Sequence, residues 1–526
     1  MKGIYLNKGN EDFRSSKRAE YVDKSGIISV INSTIDTNFR CSCTTRCRRF
    51  GKSMVANMLC AYYDRSCDSR ELFADLEIAK DSTFEEYLNK YPVIKIDMTD
   101  FTTRFDASHI MNKLNQEVIN EVLREYPDFI CQSEEDDDLM AVLSRIALQT
   151  GDKFIMVIDE WDAICREAKM SDAVDKYVNW LRRLFKGSAT SDVFAAVYMT
   201  GILPIKKYKT ESALNNFIEY SMVSPGDMAP YFGFTMDEVQ HLCRKYDFNV
   251  EEMKKWYDGY QIGNQPSMFN PNSVMQALRK KECLNFWSAT GAYEAVAQYI
   301  DMNYNGLKDD IINLLCGGRA LVDVDDFQND LRTIDNKDNV LTVLIHLGYL
   351  SYDSKRHECY IPNLEVGEEM TRAVKSNRWK YVSEALTQSE QLLRATLSGD
   401  NEAVAKAIDK IHSKETSILS YNNENSMACV LTIAYYSANN DYIIQRELAS
   451  GKGFADLVFI PRKNVEKPAI IMELKYDKDA DSAIDQIHRK DYPSKVAEYT
   501  GELLLVGINY DKTSKSHTCK IETWHK

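Results

Sequence analysis

The sequence predicts an α/β protein of more than one domain. A parallel sheet is expected over residues 1–230, a mostly helical stretch over 231–380 and a second α/β domain over 381–526. Three observations carry this. Between Asn38 and Gly201, short apolar runs alternate with amphipathic stretches of helical period. From Phe234 to about Lys380 the period is mostly helical, as in FTMDEVQHLCRKY and NVLTVLIHLGYLSYD. Beyond Gly451, apolar strand-like runs return (GKGFADLVFIP, KPAIIMELKYD, LLLVGINY), with one helical stretch among them. A chain of 526 residues has core enough for two or three such domains.

The first strand expected is NFRCSCT, Asn38 to Thr44, after an entry segment and helix over residues 11–33 in which Asp23 is a plausible cap. CRRFGKSMVANML follows, Cys47 to Leu59, with Gly51, Lys52 and Ser53 in a row and Met54, Val55, Met58, Leu59 and Tyr62 at helical spacing. A triphosphate needs backbone N–H groups without a Cβ in the way, a mobile ammonium and a hydroxyl for Mg²⁺, and these three residues supply them in order. The pattern GxxxxGK[ST] lacks its first glycine here, where Arg46 stands. GKS alone is weak. A second apolar strand, YPVIKIDMT, and a helix from about Ile110 to Tyr126 lead to FIMVIDE, which ends in two carboxylates. Asp159 is expected on the Mg²⁺ shell and Glu160 beside the attacking water. A helix over Ala173–Phe185 and a fourth strand, DVFAAVYMTG, complete the P-loop NTPase pattern. Its Thr200 is either a γ-phosphate sensor or a residue that caps a turn.

Cys41, Cys43 and Cys47 lack a fourth ligand and read as core or loop thiols rather than a metal site. SEEDDD, Ser133 to Asp138, reads as a solvated run. Trp256, Tyr257 and Tyr260 read as packing residues ahead of a base-stacking platform. Thr342 to Asp353 with HECYIPN suggests a small winged-helix-like unit.

The tail carries a second chemical signature. Asp456 sits near the start of one strand, and Glu473-Leu474-Lys475 end the next. Glu473 and Lys475, two apart, share a strand face. If the two strands are hairpin neighbours, Asp456 and Glu473 can bind one Mg²⁺, with the Leu474 carbonyl as a further ligand, and Lys475 orients water or neutralises charge. The competing reading is an exposed hairpin with a charged edge. Against it, these charges close an apolar run, where buried ions need partners.

RCRRFGKS, YVDKS, VIDEWD, MTGILPI, KKWYDGY and the GKGFADLVF…IMELKYD…AIDQI tail together resemble the bacterial AAA-ATPase-like proteins. These join an N-terminal P-loop ATPase to a C-terminal, restriction-endonuclease-like domain of the PD-(D/E)XK nuclease superfamily. The resemblance implies a nucleotide site of Arg49, Gly51, Lys52, Ser53, Asp159 and Thr200, with Ser53 and Asp159 on Mg²⁺ and Glu160 catalytic. It implies a nuclease centre of Asp456, Glu473 and Lys475. Glu424 would be an upstream acidic metal ligand and Gln486 a catalytic helix residue. Cys47 stands where the family usually has proline.

The expected function is ATP binding and hydrolysis coupled to Mg²⁺-dependent cleavage of nucleic acid, with Mn²⁺ as an alternative ion, DNA ahead of RNA, and a place in defence or mobile-element biology. The alternative is a nucleotide-switched module whose nuclease fold grips nucleic acid without cutting. A net charge of −14 argues against a nucleic-acid coat protein. No apolar run nears the roughly 20 residues that span a bilayer, and MKGIYLNKGNEDF has no secretory h-region. The expectation is therefore a cytoplasmic protein with no membrane partner, and self-association as a homo-oligomer is left open.

Overall fold

The computed structural model describes residues 3–128, 138–167, 171–205, 207–208, 211–212, 214–287, 304–315, 317–328, 334–376, 380–412, 430–432, 434–450, 453–461, 465–490 and 502–525. The chain divides into two compact units, 1–299 with 321–366 and 300–320 with 367–526. The stretch 231–380 is thus shared between them.

In the first unit, β1 (Cys41–Thr45) runs into α1 (Lys52–Tyr63), and β2 (Val93–Asp97) precedes α2 (Ile110–Glu125). Then come β3 (Phe154–Asp159), α3 (Ser171–Phe185), β4 (Phe194–Gly201) and β5 (Ile218–Tyr220). The five strands form one parallel sheet in the order β2-β3-β4-β1-β5. β3 and β1 therefore flank β4, which sets the two expected phosphate-binding strand ends on either side of Thr200.

Alternate residues of each strand enter different cores, as a period of two requires. Ile94, Ile96, Met156, Ile158 and Met199 pack with α2 and α3. Val93, Ile155, Val157 and Tyr198 pack with α1. Both faces are covered, so the central strands β3 and β4 read as nearly continuous apolar runs. Residues 11–33 depart from the single helix expected. Glu11–Arg18 and Gly26–Asn32 are separate helices, and Asp23 between them accepts from the backbone N–H of Ser25 (2.8 Å) and of Glu77 (2.7 Å).

The rest of the unit adds α4 (Met236–Tyr246), α5 (Val250–Tyr257), β6 (Tyr260–Ile262), β7 (Gln265–Phe269) and α6 (Pro271–Lys280). After residue 321 come α7 (Lys337–Leu347) and an antiparallel hairpin of β8 (Ser351–Asp353) and β9 (Glu358–Tyr360). Thr235 and Glu238 close a capping box at the start of α4. Tyr257 and Tyr260 are packing residues: both are buried, and their hydroxyls donate to Leu284 O and Gly348 O, each at 2.8 Å.

α8 (Leu364–Ser376) is the helix in which the chain passes from the first unit to the second. The second unit holds a mixed sheet of β10 (Tyr442–Ser450), β11 (Gly453–Pro461), β12 (Ala469–Tyr476), β13 (Glu502–Asp511) and β14 (Ser516–His525), in that order. β12 and β13 are parallel and joined through α9 (Ala480–Arg489); the other neighbours are antiparallel. Ala483, Ile484 and Ile487 of α9 are buried, the apolar face expected from their spacing.

Candidate functional sites

The loop between β1 and α1 makes its left-handed turns at Arg49 (φ 67°) and Gly51 (φ 93°). A Cβ on Gly51 would meet nothing within 4 Å, so glycine is needed there for its backbone angle and not for lack of room. Arg46, in place of the first glycine, continues β1: its N–H donates to Gly201 O at 3.0 Å. Its guanidinium is fully buried, donates to Thr45 O and Tyr220 O at 2.8 Å and lies over the Phe232 ring. Burial pushes it down to about 10. Arg46 thus ties the loop to β5.

The middle elements clamp the same loop. Phe50 meets Tyr260 edge-on at 5.1 Å, and Gly233 N–H donates to Phe50 O at 3.2 Å. A Cβ on Gly348 would strike Cys47 and Trp287 at 2.6 and 2.9 Å, so Cys47 is packing against a helix-to-hairpin turn. KKWYDGY joins the same packing through Tyr260, which meets Phe50 and bonds Gly348 O. Burial pushes the Cys41 and Cys47 thiols up to about 12 and Cys43 higher still. They are protonated packing groups.

Lys52 is buried, and its Nζ donates to Arg46 O (3.0 Å) and Cys47 O (3.2 Å), 3.5 Å from Glu160 Oε1. Beside it lies a cavity of about 460 Å³, a size typical of nucleotide and other small-ligand sites. Its lining includes Arg49, Gly51, Lys52, Ser53 and Glu160 from the expected set, and Tyr21, Lys24, Met275 and Arg279 from outside it. Asp159 and Thr200 are fully buried and are not part of that lining. Thr200 Oγ1 donates to Asp159 Oδ1, which also accepts from Glu160 N–H at 3.1 Å. Thr200 therefore holds the Asp159 carboxylate in place. Asp159 Oδ2 is buried and has no hydrogen-bond partner among the described residues, which suits a cation ligand.

Glu160 is held at φ 51°, a left-handed angle rare outside glycine that marks a constrained site. Burial disfavours its charge, but Lys52, Arg166 and Arg48 outweigh that and hold its carboxyl below the usual range. Arg166 binds Glu160 Oε2 at 2.5 Å and Asp162 Oδ2 at 3.0 Å. Asp162 also accepts from the N–H groups of Ile202 (3.2 Å) and Leu203 (2.8 Å), while Trp161 Nε1 donates to Leu203 O at 3.2 Å. A Cβ on Gly201 would come within 2.7 Å of Trp161 and Asp162. VIDEWD and MTGILPI are thus two halves of one latch. Asp97, level with Asp159 on β2, is raised by burial and by Asp159. Sequence reading gave no role to Asp97 or Arg166; Arg166 was findable as the basic residue four beyond Asp162.

In the second unit the paired register of β11 and β12 runs Leu457–Met472, Val458–Ile471, Phe459–Ile470. One step further, Asp456 falls opposite Glu473, and opposed residues of antiparallel strands share a face. Asp456 Oδ2 accepts from Leu474 N–H at 2.8 Å. Glu473, 1 % exposed, accepts on Oε1 from Lys475 Nζ (3.0 Å) and Gln486 Nε2. Its Oε2 is buried without a hydrogen-bond partner among the described residues. Burial, then the Asp456 charge, push Glu473 up to about 7, despite Lys475. Two facing carboxylates, one with an orphaned oxygen, fit a divalent cation. Leu474 O accepts from Lys475 Nζ at 3.1 Å. Glu424 lies outside the described residues. So does most of SEEDDD.

The geometry gives a parallel-sheet domain with a Gly-Lys-Ser loop beside a cavity and, in the same chain, a mixed-sheet domain with an Asp…Glu-x-Lys cluster. Residues 9–210 match the AAA-ATPase-like family, described as predicted AAA-ATPases, and residues 422–524 match the PD-(D/E)XK nuclease superfamily. The chain carries one domain of each. None of the curated proteins compared with it matches. Solved structures that do match include Drosophila ORC bound to DNA (10 % identity, 71 % of this chain and 88 % of that chain, TM-score 0.25). Two from Aeropyrum pernix also match. They are the ORC1 protein in complex with DNA (9 %, 85 % and 91 %, 0.24) and the ORC2 protein with ADPNP and ADP (10 %, 68 % and 98 %, 0.29). At such TM-scores these likenesses carry no argument. Among the described residues no helix is long and apolar enough to cross a membrane.

Proposed function

We propose that the chain binds and hydrolyses ATP in its first unit and cleaves DNA in its second. The observation that carries the nuclease half is Glu473: a buried carboxylate facing Asp456, held by Lys475 and Gln486, with one oxygen left for a cation. A divalent cation bound there would supply an acidified water and charge to offset the phosphate. Asp456 and Glu473 hold that ion. Gln486 orients Glu473, and Lys475 offsets negative charge as the phosphate enters.

For the ATPase half, Lys52 already binds two loop carbonyls that phosphate oxygens can replace. Ser53 and Asp159 would hold Mg²⁺, which would offset the phosphate charge. Glu160, kept anionic by its cations, accepts the proton of the attacking water.

The test is to incubate full-length protein with linear, circular and single-stranded DNA and with RNA, with and without ATP and with Mg²⁺ or Mn²⁺. Cation-dependent cleavage that is lost in Lys475→Ala, with the fold intact, supports the reading. A mobility shift without cutting under every condition would replace it with the nucleotide-switched binding module.

A further inference from the structure

The α6 wall of the nucleotide cavity is anchored from behind by one buried carboxylate. Ser273, in the first turn of α6, donates its hydroxyl to both oxygens of Glu365, at 3.0 and 2.8 Å. Glu365 also accepts the backbone N–H of Phe286 at 2.7 Å. The carbonyl of that same Phe286 accepts from Arg49 Nη1 at 2.5 Å, and Arg49 lines the cavity. At 1 % exposure, Glu365 has, among the described residues, these donors and the nearby Arg49 charge to offset its lost hydration.

We propose that Glu365 is a positioning residue for the nucleotide site, fixing α6 and the Phe286 turn so that Arg49 and the cavity face of α6 meet the nucleotide in one geometry. This rests on the nucleotide-binding reading of the cavity. It adds a residue outside the loop and the β3 carboxylates, at the root of the helix that leads into the second unit.

The charged and titratable groups that feel Glu365 are Arg49, Tyr257, Tyr260 and Cys283. Burial holds both tyrosines protonated far above neutrality and pushes Cys283 up to about 12. On its own helix, Glu369 pairs with Arg372 at 2.8 Å. Glu365 itself is pushed up to about 7 by burial, so its charge changes near neutral pH. Ionised, it accepts from both the Ser273 hydroxyl and the Phe286 N–H. Protonated, one oxygen becomes a donor facing donors, and the turn is held less well.

The experiment titrates full-length protein with a non-hydrolysable ATP analogue and Mg²⁺ by calorimetry at pH 6 and pH 8. It compares wild type, Lys52→Ala, Glu365→Gln, Ser273→Ala and the Ser273/Glu365 double variant. Taking the ratio of variant to wild-type Kd cancels the analogue's own phosphate titration. At pH 8 Glu365→Gln is expected to bind about tenfold more weakly, with the ratio falling toward one at pH 6. Ser273→Ala is expected to weaken binding less and to add nothing to Glu365→Gln, since both act through one bond. Should Glu365→Gln fail to fold, a loss in Ser273→Ala at pH 8 that disappears at pH 6 supports the role. A Glu365→Gln ratio of one at pH 8, or a ratio constant with pH, overturns it while leaving the nucleotide reading intact. No binding by wild type, as by Lys52→Ala, overturns the nucleotide reading and this role with it.

Discussion

Glu473→Gln is expected to make the protein more stable and the nuclease centre dead. Burial and the Asp456 charge push Glu473 up from 4.5 to about 7. The folded chain therefore holds an extra proton between those values, and its stability falls as pH rises through that window. At pH 8 the ionised carboxylate costs the fold about 3 kcal/mol relative to its neutral form. The pull of Lys475 is already included in that balance. Glutamine keeps the shape and removes the charge, so the variant should gain about 1–3 kcal/mol at pH 8 and little at pH 5. In a unit of this size that raises Tm by roughly 2–12 °C. Scanning calorimetry on the full-length chain at both pH values gives the shift, and cleavage of linear DNA gives the loss of function. A variant destabilised equally at pH 5 and pH 8 would refute the reasoning, because the fold would then favour the charge. Stability gained by deleting an active-site group is the expected trade at a site strained for function.

Other outcomes follow from the same geometry. Lys52→Ala should abolish nucleotide binding by calorimetry, since it removes the one buried ammonium at the loop carbonyls. Thr200→Val leaves Asp159 without its hydroxyl donor and should cost about 1–3 kcal/mol in urea unfolding, with weaker Mg²⁺-dependent nucleotide binding. Gly201→Ala drives a methyl into Trp161 and Asp162 and should destabilise the first unit by about 1–3 kcal/mol. Because cation binding needs ionised Glu473, cleavage should fall as pH drops below about 7, and the same profile should shift to lower pH as Mn²⁺ is raised.

Local chemistry made much of this legible in sequence. Gly51-Lys52-Ser53 stood out as a local motif, and the Asp159–Glu160 pair closed an apolar run that became a parallel strand, because a strand buried on both faces shows itself as a nearly unbroken apolar run. The Asp456/Glu473 juxtaposition followed from a hairpin whose register needs only two adjacent strands. What escaped depends on distant parts of the chain. Glu365 is one acid on an ordinary amphipathic helix, and its burial against Ser273 and Phe286 leaves no local pattern. The bond from the Thr200 hydroxyl to Asp159 left no local pattern either, since it depends on β4 lying beside β3 in the sheet. Arg46 looked like a defect in the phosphate loop. Its carbonyl receives Lys52 while its side chain reaches β5, which only the sheet order reveals.

The most direct test of a shared cation in the second unit is Mn²⁺ binding to full-length protein without nucleotide, followed by electron paramagnetic resonance. A tight site present in wild type and in Lys52→Ala, and absent in both Asp456→Asn and Glu473→Gln, is the predicted result. Unchanged Mn²⁺ binding in Asp456→Asn and Glu473→Gln would contradict it.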